Sequence, residues 1–271
     1  MDCAGNSMAS IENISDKEYY GSYGEKLSVS LLKRFYDDPT TFGSYLENRS
    51  DFEEPKTHLI LGQAVHCLTL EGREAFDESF QVTKCLNPKT SKSYGRQTKA
   101  WAKHCKDNDL NIWRTINEEE FSSTQAMALA CQNDPVIGDL IKSCNRVEYA
   151  LRGKLSGVDF QGKMDAWDGG SVVFDLKTTA DISDAESSGF KFKYGWQSIA
   201  YKRLLSEATG CDLSAIRFAF GFVEKATPHR TKLIESEFFE TRGQVELFDN
   251  VLYAVNKCRQ LGDYSIGGLF M

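Results

Sequence analysis

The chain has 271 residues, of which 41% are hydrophobic, 12% aromatic and 26% charged. That is enough to bury one large core or two small ones, with the balance of an ordinary globular protein. A formal charge of −7, from 32 Lys and Arg against 39 Asp and Glu, argues against a surface coated throughout by nucleic acid or lying on an anionic membrane, but leaves room for a local basic patch.

Met1 to Glu25 is polar and rich in Ser, Gly and Asn, and reads as a flexible tail. Residues 26–271 carry no repeat or low-complexity linker and read as a single domain. Ser28-Val29-Ser30 can cap a helix bearing Leu31, Leu32 and Phe35 that stops near Pro39. Thr57 can cap a second helix, with Ile60, Leu61, Ala64, Val65 and Leu68 as its apolar stripe. Further helices are expected over 94–107, 118–132 and 135–143.

The pattern then changes. Val147, Tyr149 and Leu151 alternate with Glu148 and Ala150, which predicts a half-buried strand. Strands over 157–167 and 171–177 are joined by a turn at Asp168-Gly169-Gly170. A helix over 190–208, strands near 215–224 and 230–240, and a last helix over 242–261 complete the series. Helices around a central mixed β-sheet, an α/β fold, follow.

Eight cysteines, at 3, 67, 85, 105, 131, 144, 211 and 258, include no C-x-x-C pair. No iron–sulfur cluster or zinc ribbon is therefore expected, and reduced thiols in a cytoplasmic protein are. No apolar run approaches the ~20 residues of a membrane-spanning helix, so no membrane partner is expected.

The stretch richest in chemistry is Gly162-Lys163-Met164-Asp165, followed ten residues later by Asp175-Leu176-Lys177-Thr178-Thr179. Strand alternation puts Val172, Phe174 and Leu176 on one face and Val173, Asp175 and Lys177 on the other. A hairpin between 157–167 and 171–177 would stand Asp165 beside them. Two carboxylates and a lysine at a strand end suit a magnesium site for phosphodiester hydrolysis, the lysine orienting or deprotonating water. Asp-x-Lys alone is more often a structural ion pair; the preceding Gly-Lys-Met-Asp and the Thr178-Thr179 continuation favour the functional reading.

Gly-x-x-Asp followed by Val-Val-Phe-Asp-Leu-Lys-Thr-Thr resembles the core of the PD-(D/E)XK nucleases, and most closely their RecE-type, exonuclease VIII-like phage and prophage branch. Leu61-Gly62-Gln63-Ala64-Val65-His66 resembles the helix that carries a histidine metal ligand there. Ser30-Leu31-Leu32-Lys33 with Asp38-Pro39, and Gln197 with Tyr201, resemble its N-terminal and post-core helices. The resemblance runs from about residue 28 to 205.

It implies a restriction-endonuclease-like fold and a Mg2+ site, with Mn2+ as a substitute, made by His66, Asp165, Asp175 and the Leu176 carbonyl. Lys177 would position the nucleophile. Gln197 and Tyr201, one helical turn apart, would contact the scissile phosphate or buttress the lysine. Glu148 either faces the same cleft or points to solvent at a sheet edge. The implied activity is digestion of linear double-stranded DNA from its ends, 5′ to 3′. The 3′ tail would pass to a single-strand annealing protein, and the enzyme would be a ring-shaped homo-oligomer in a bacterial or phage-infected cell. An endonuclease of the same superfamily, or a non-catalytic DNA-binding subunit, remains an alternative.

Finally, Lys84, Lys89, Lys92, Arg96, Lys99, Lys103 and Lys106 lie in a stretch without an acid, with Tyr94 and Trp101 interspersed. The rest of the chain has 25 basic against 39 acidic residues, a charge of −14. Such a run is either a solvated helix face or a surface that tracks DNA phosphates; beside a nuclease site the second is expected.

Overall fold

The computed structural model describes residues 9–21, 25–48 and 57–271. The expected flexible tail proves in part to be built into the fold. Strand β1 (Ser10–Glu12) pairs antiparallel with residues 150–152, and helix α1 (Asp16–Gly21) follows it. One ion pair, Glu12 to Arg152 at 2.8 Å, and the buried ring of Tyr19 anchor a segment whose polar composition disguised it.

Helix α2 (Val29–Asp37) starts where the sequence predicts, Ser28 accepting the Leu31 N–H. Asp38 then caps α3 (Pro39–Glu47) through the Thr40 and Thr41 amides. Helix α4 (Thr57–His66) runs directly into a π-turn, Cys67–Glu71; the side chain of Thr57, expected to cap it, lies outside what the structure describes. Helix α5 (Arg73–Ser79), strands β2 (Gln81–Thr83) and β3 (Thr115–Asn117), and α6 (Lys99–Asp107) follow. The last three form a small module in which β2 and β3 pair in parallel and Cys85, Trp101 and Cys105 make a separate core. The helix expected from 94 begins only at Lys99, because Thr98 caps it. Helices α7 (Glu118–Asn133) and α8 (Pro135–Ser143) match expectation, α7 opening on a reciprocal Asn117–Glu120 capping box.

The main sheet adds β4 (Arg146–Leu155), β5 (Val158–Trp167), β6 (Val172–Thr179), β7 (Arg217–Glu224) and β8 (Thr231–Glu235), in the order β1-β4-β5-β6-β7-β8. Among the described strands of this sheet only the β6–β7 pair is parallel, so the sheet is mixed, as expected. The last strand stops at Glu235, short of the expected 240, where the turn Ser236–Phe238 begins. Helices α9 (Ala185–Lys191) and α10 (Tyr194–Thr209) replace one continuous helix, separated by Lys193 at φ 52°. Helix α11 (Arg242–Leu261) closes the fold.

Alternation along β6 and β7 divides the core. Val173, Phe218, Phe220 and Phe222 pack with residues of α2, α10 and α11. Phe174, Leu176, Ala219 and Val223 pack with Val65, Met127 and Ile137. Helices thus cover both faces of the sheet, burying its strands on each side.

One irregularity of the sheet positions the candidate catalytic side chains. Strands β5 and β6 pair only at Ala166–Phe174 and Trp167–Val173, beside the turn. The hairpin suggested by the sequence is two residue pairs long, and beyond it the sheet splits. Every backbone group along such a split needs another partner. At the far end Leu27 supplies one, donating to Asp159 and accepting from Gln161 at 2.8 and 2.7 Å.

Candidate active site

The split is lined by side chains from both halves of the chain. Leu176 takes no backbone partner from β5; instead its N–H donates to the side-chain carboxylate of Asp165 on that strand at 2.9 Å. Its carbonyl lies 2.6 Å from Nε2 of His66, and the same nitrogen is 2.9 Å from Asp165. His66 reaches this point from the junction of α4 with the π-turn, a local distortion frequent at functional sites. Imidazole, carboxylate and backbone carbonyl therefore converge where the sequence placed His66, Asp165 and Leu176.

Asp175 is fully buried. Its carboxylate pairs with the Lys177 ammonium and accepts from Gln197 Nε2 at 2.5 Å. Tyr201, one turn further along α10, accepts the Lys163 N–H at 3.1 Å through its hydroxyl. A Cβ on Gly162 would stand 2.1 Å from the Tyr201 ring, so the glycine of Gly-x-x-Asp lets α10 lie directly on β5. Gln197 and Tyr201 share one helix face but divide their work: the first holds Asp175, the second the open edge of β5.

Glu148 faces the cleft rather than solvent. It stands 4.0 Å from His66 Nδ1 and pairs with Lys163. His66, Glu148 and Asp165 each offer a ligand atom within 4.8 Å of the others. Glu148 holds φ 61° within β4, costly for a non-glycine residue and characteristic of functional sites. Alternation in the sequence could not reveal that local twist.

The electrostatics are mutually strained. Burial works against charge on His66, but Asp165 and the Leu176 carbonyl raise its pKa to about 9. Asp165 would also be raised by burial, yet His66 and Lys177 hold it down at about 2. Burial, with Asp165 nearby, pushes Asp175 up to about 6. Lys177 is shifted upward because Asp175 and Asp165 outweigh its burial. Adjacent carboxylates whose pKa values are pushed apart by burial and by their charged neighbours are a pattern that clusters at functional sites. One nitrogen and several oxygens, without sulfur, fit a hard divalent ion such as magnesium or manganese.

An open cleft of about 840 Å³ surrounds these groups. It also contains residues without an assigned role in the sequence. Lys33, on α2, and Lys177 lie 5.8 and 5.2 Å from the ring centre of Tyr194. Lys163, Asp16 and Arg114 line another part. Lys163 sits inside the recognised motif, but its two acidic partners come from remote segments, so nothing local identified it.

The basic stretch is arranged otherwise. None of Lys84, Lys89, Lys92, Arg96, Lys99, Lys103 and Lys106 lines the cleft. Arg96, expected to contact DNA, turns inward instead: it binds both Glu120 carboxylate oxygens at 2.8 Å and the Thr115 carbonyl at 2.6 Å. Lys103 pairs with Asp107 at 2.5 Å and Lys84 with Glu118 at 3.6 Å.

Among solved structures, one from Eubacterium rectale, described as a "putative exonuclease", superposes with a TM-score of 0.56 at 17% identity. The match covers 89% of this chain and 86% of that one, a likeness of fold. No curated protein matches the sequence. Among the described residues no helix is long and apolar enough to cross a membrane. The profile of one family, the PDDEXK-like domain of unknown function (DUF3799), matches residues 28–265. That span contains strands β5 and β6 with the split between them, His66, Asp165, Asp175 and Lys177, and the chain belongs to this PDDEXK-like family.

Proposed function

We propose that the protein is a magnesium-dependent exodeoxyribonuclease that hydrolyses linear double-stranded DNA from its ends, 5′ to 3′. The product is a 3′ single-stranded tail for an annealing partner, and the enzyme works as a ring-shaped homo-oligomer in a bacterial or phage-infected cytoplasm. The observation that carries the hydrolytic part is the convergence of His66, Asp165 and the Leu176 carbonyl beside the Asp175–Lys177 pair. The fold neighbour's description as an exonuclease favours action at ends. The sequence motifs, from Gly62-to-His66 through Asp175-Leu176-Lys177, favour the RecE-type polarity and product.

A divalent ion, when bound, would polarise the scissile phosphate and lower the pKa of water. His66, Asp165, the Leu176 carbonyl and Glu148 would hold it, with Asp175 alongside. Asp175 also holds Lys177, and Gln197 fixes Asp175 from the other side. The paired carboxylate favours the ammonium form, so Lys177 donates hydrogen bonds to the attacking water and the phosphate oxygens. Tyr201 keeps β5, and so Asp165, in register with that pair. The basic stretch, Arg96 apart, is left to track duplex away from the cleft.

End-labelled linear duplex, with and without Mg2+, tests the reading against Lys177→Ala and Asp175→Ala. Each substitution should slow digestion by at least about a thousandfold, as loss of a charge-stabilising group does. A 5′ label should be released before a 3′ label, and covalently closed circles should survive. Digestion that needs no metal, or withstands both substitutions, overturns the hydrolytic mechanism; cut circles turn the assignment to an endonuclease.

A further inference from the structure

The cleft has a second charged centre. The two carboxylate oxygens of Asp16 reach opposite walls: one lies 2.7 Å from Lys163 Nζ, the other 3.8 Å from the Arg114 guanidinium. Lys163 belongs to β5, two residues before Asp165, and Arg114 immediately precedes β3 in the helical half. A monoanion with two free oxygens thus bridges two cations at the edge of the catalytic groups. A phosphodiester has the same charge and the same pair of non-bridging oxygens.

We propose that Lys163 and Arg114 form a subsite for a backbone phosphate of the bound strand, and that Asp16 occupies it until the strand arrives. This rests on the nucleic-acid reading of the cleft. Asp16 and Arg114 remain half-exposed, at 55% and 42%, so their bridge is screened by water and readily exchanged. The bridging segment is tethered on one side: β1 is zipped to β4, and the Tyr19 carbonyl accepts from Gln161 at 3.3 Å. Between Asp16 and the helical half only the Arg114 contact is formed among the described ion pairs. Lys163 also pairs with Glu148, so a phosphate at the subsite lies next to the His66–Glu148–Asp165 group. Asp16 then discriminates against weak anions: only a ligand engaging both cations, and held elsewhere along the cleft, displaces it.

The test is equilibrium binding of a fluorescein-labelled duplex oligonucleotide to the full chain, by anisotropy, with Ca2+ replacing Mg2+. Removing the competing charge in Asp16→Asn should tighten binding about fivefold, while Asp16→Glu stays near wild type. Arg114→Gln should weaken binding by a similar factor, and the double variant should lose most of the gain. Asp139→Asn, which removes an exposed acid on α8, controls for net charge and should change little. Thermal melting checks that each variant is folded. No gain in folded Asp16→Asn, an equal gain in the Arg114→Gln background, or an equal gain from Asp139→Asn overturns the subsite. Cleavage is read separately in Mg2+. An inactive wild type whose binding still tightens in Asp16→Asn refutes the nuclease and keeps the subsite; an active one without the gain refutes the subsite alone.

Discussion

Between residues 84 and 106 seven cations follow one another along the chain, while the cleft draws its charges from α1, α2, α4, β4, β5, β6 and the residue before β3. In the first region several charges find nearby acids: Arg96 forks onto Glu120, Lys103 onto Asp107 and Lys84 onto Glu118. In the second, like charges are forced together. Asp165 and Asp175 move in opposite directions, and Glu148 is held at a left-handed φ. Contiguous charge gives the chain freedom to pair it locally; charge gathered from distant elements is constrained by the fold. Chemistry belongs to the second kind, because strain at a site persists only where the surrounding structure imposes it.

The sharpest way to break this contrast is to remove one charge from each region. His66→Ala should lower Mg2+-dependent turnover about a hundredfold or more, with partial recovery at raised Mg2+ because a donor to the ion is lost. Kinetics across a metal titration check this; unchanged turnover would place the cation elsewhere. Arg96→Ala should act on stability instead. It strands the Thr115 carbonyl and leaves the Glu120 carboxylate with the capping-box Asn117 N–H but no cation, costing about 2 kcal/mol in denaturant unfolding, while activity per folded molecule changes little. A stable Arg96→Ala protein that no longer binds duplex would restore Arg96 to the expected phosphate-tracking surface.

The same contrast explains what could be read from the amino acids. Strand alternation and caps placed the sheet core and most helices, since Val172 to Lys177 and Ser28 carry their signals within a few residues. Asp165, Asp175, Lys177 and His66 were legible through the motifs that contain them. Glu148 was not resolved, because its direction depends on one backbone rotation inside β4. Asp16 was missed outright: its partners Lys163 and Arg114 lie far along the chain, and a short edge strand anchored by Glu12 has no periodicity to detect. The break at Lys193 was hidden for a related reason, since a single left-handed residue leaves the helical apolar pattern intact on both sides.

The smallest expected effect concerns Lys33, a cleft cation that the described ion pairs leave without an acid. Burial, then repulsion from Lys177 and, less strongly, Lys193, lowers its pKa to about 7, against attraction from Asp175 and Asp37. The unfolded chain keeps the ordinary lysine value near 10.4. Between those values the unfolded state binds more protons, so this group's contribution to stability rises with pH and is complete only above the unfolded pKa. Lys33→Met should therefore be more stable than wild type near pH 6, with the difference shrinking toward pH 10. Urea unfolding at pH 6, 7.5 and 9 measures it, with Lys99→Met on the exposed face of α6 as the reference from the basic stretch. A wild-type-to-mutant difference that stays flat with pH would mean that Lys33 is not forced among like charges, and that the cleft is less strained than its other groups indicate.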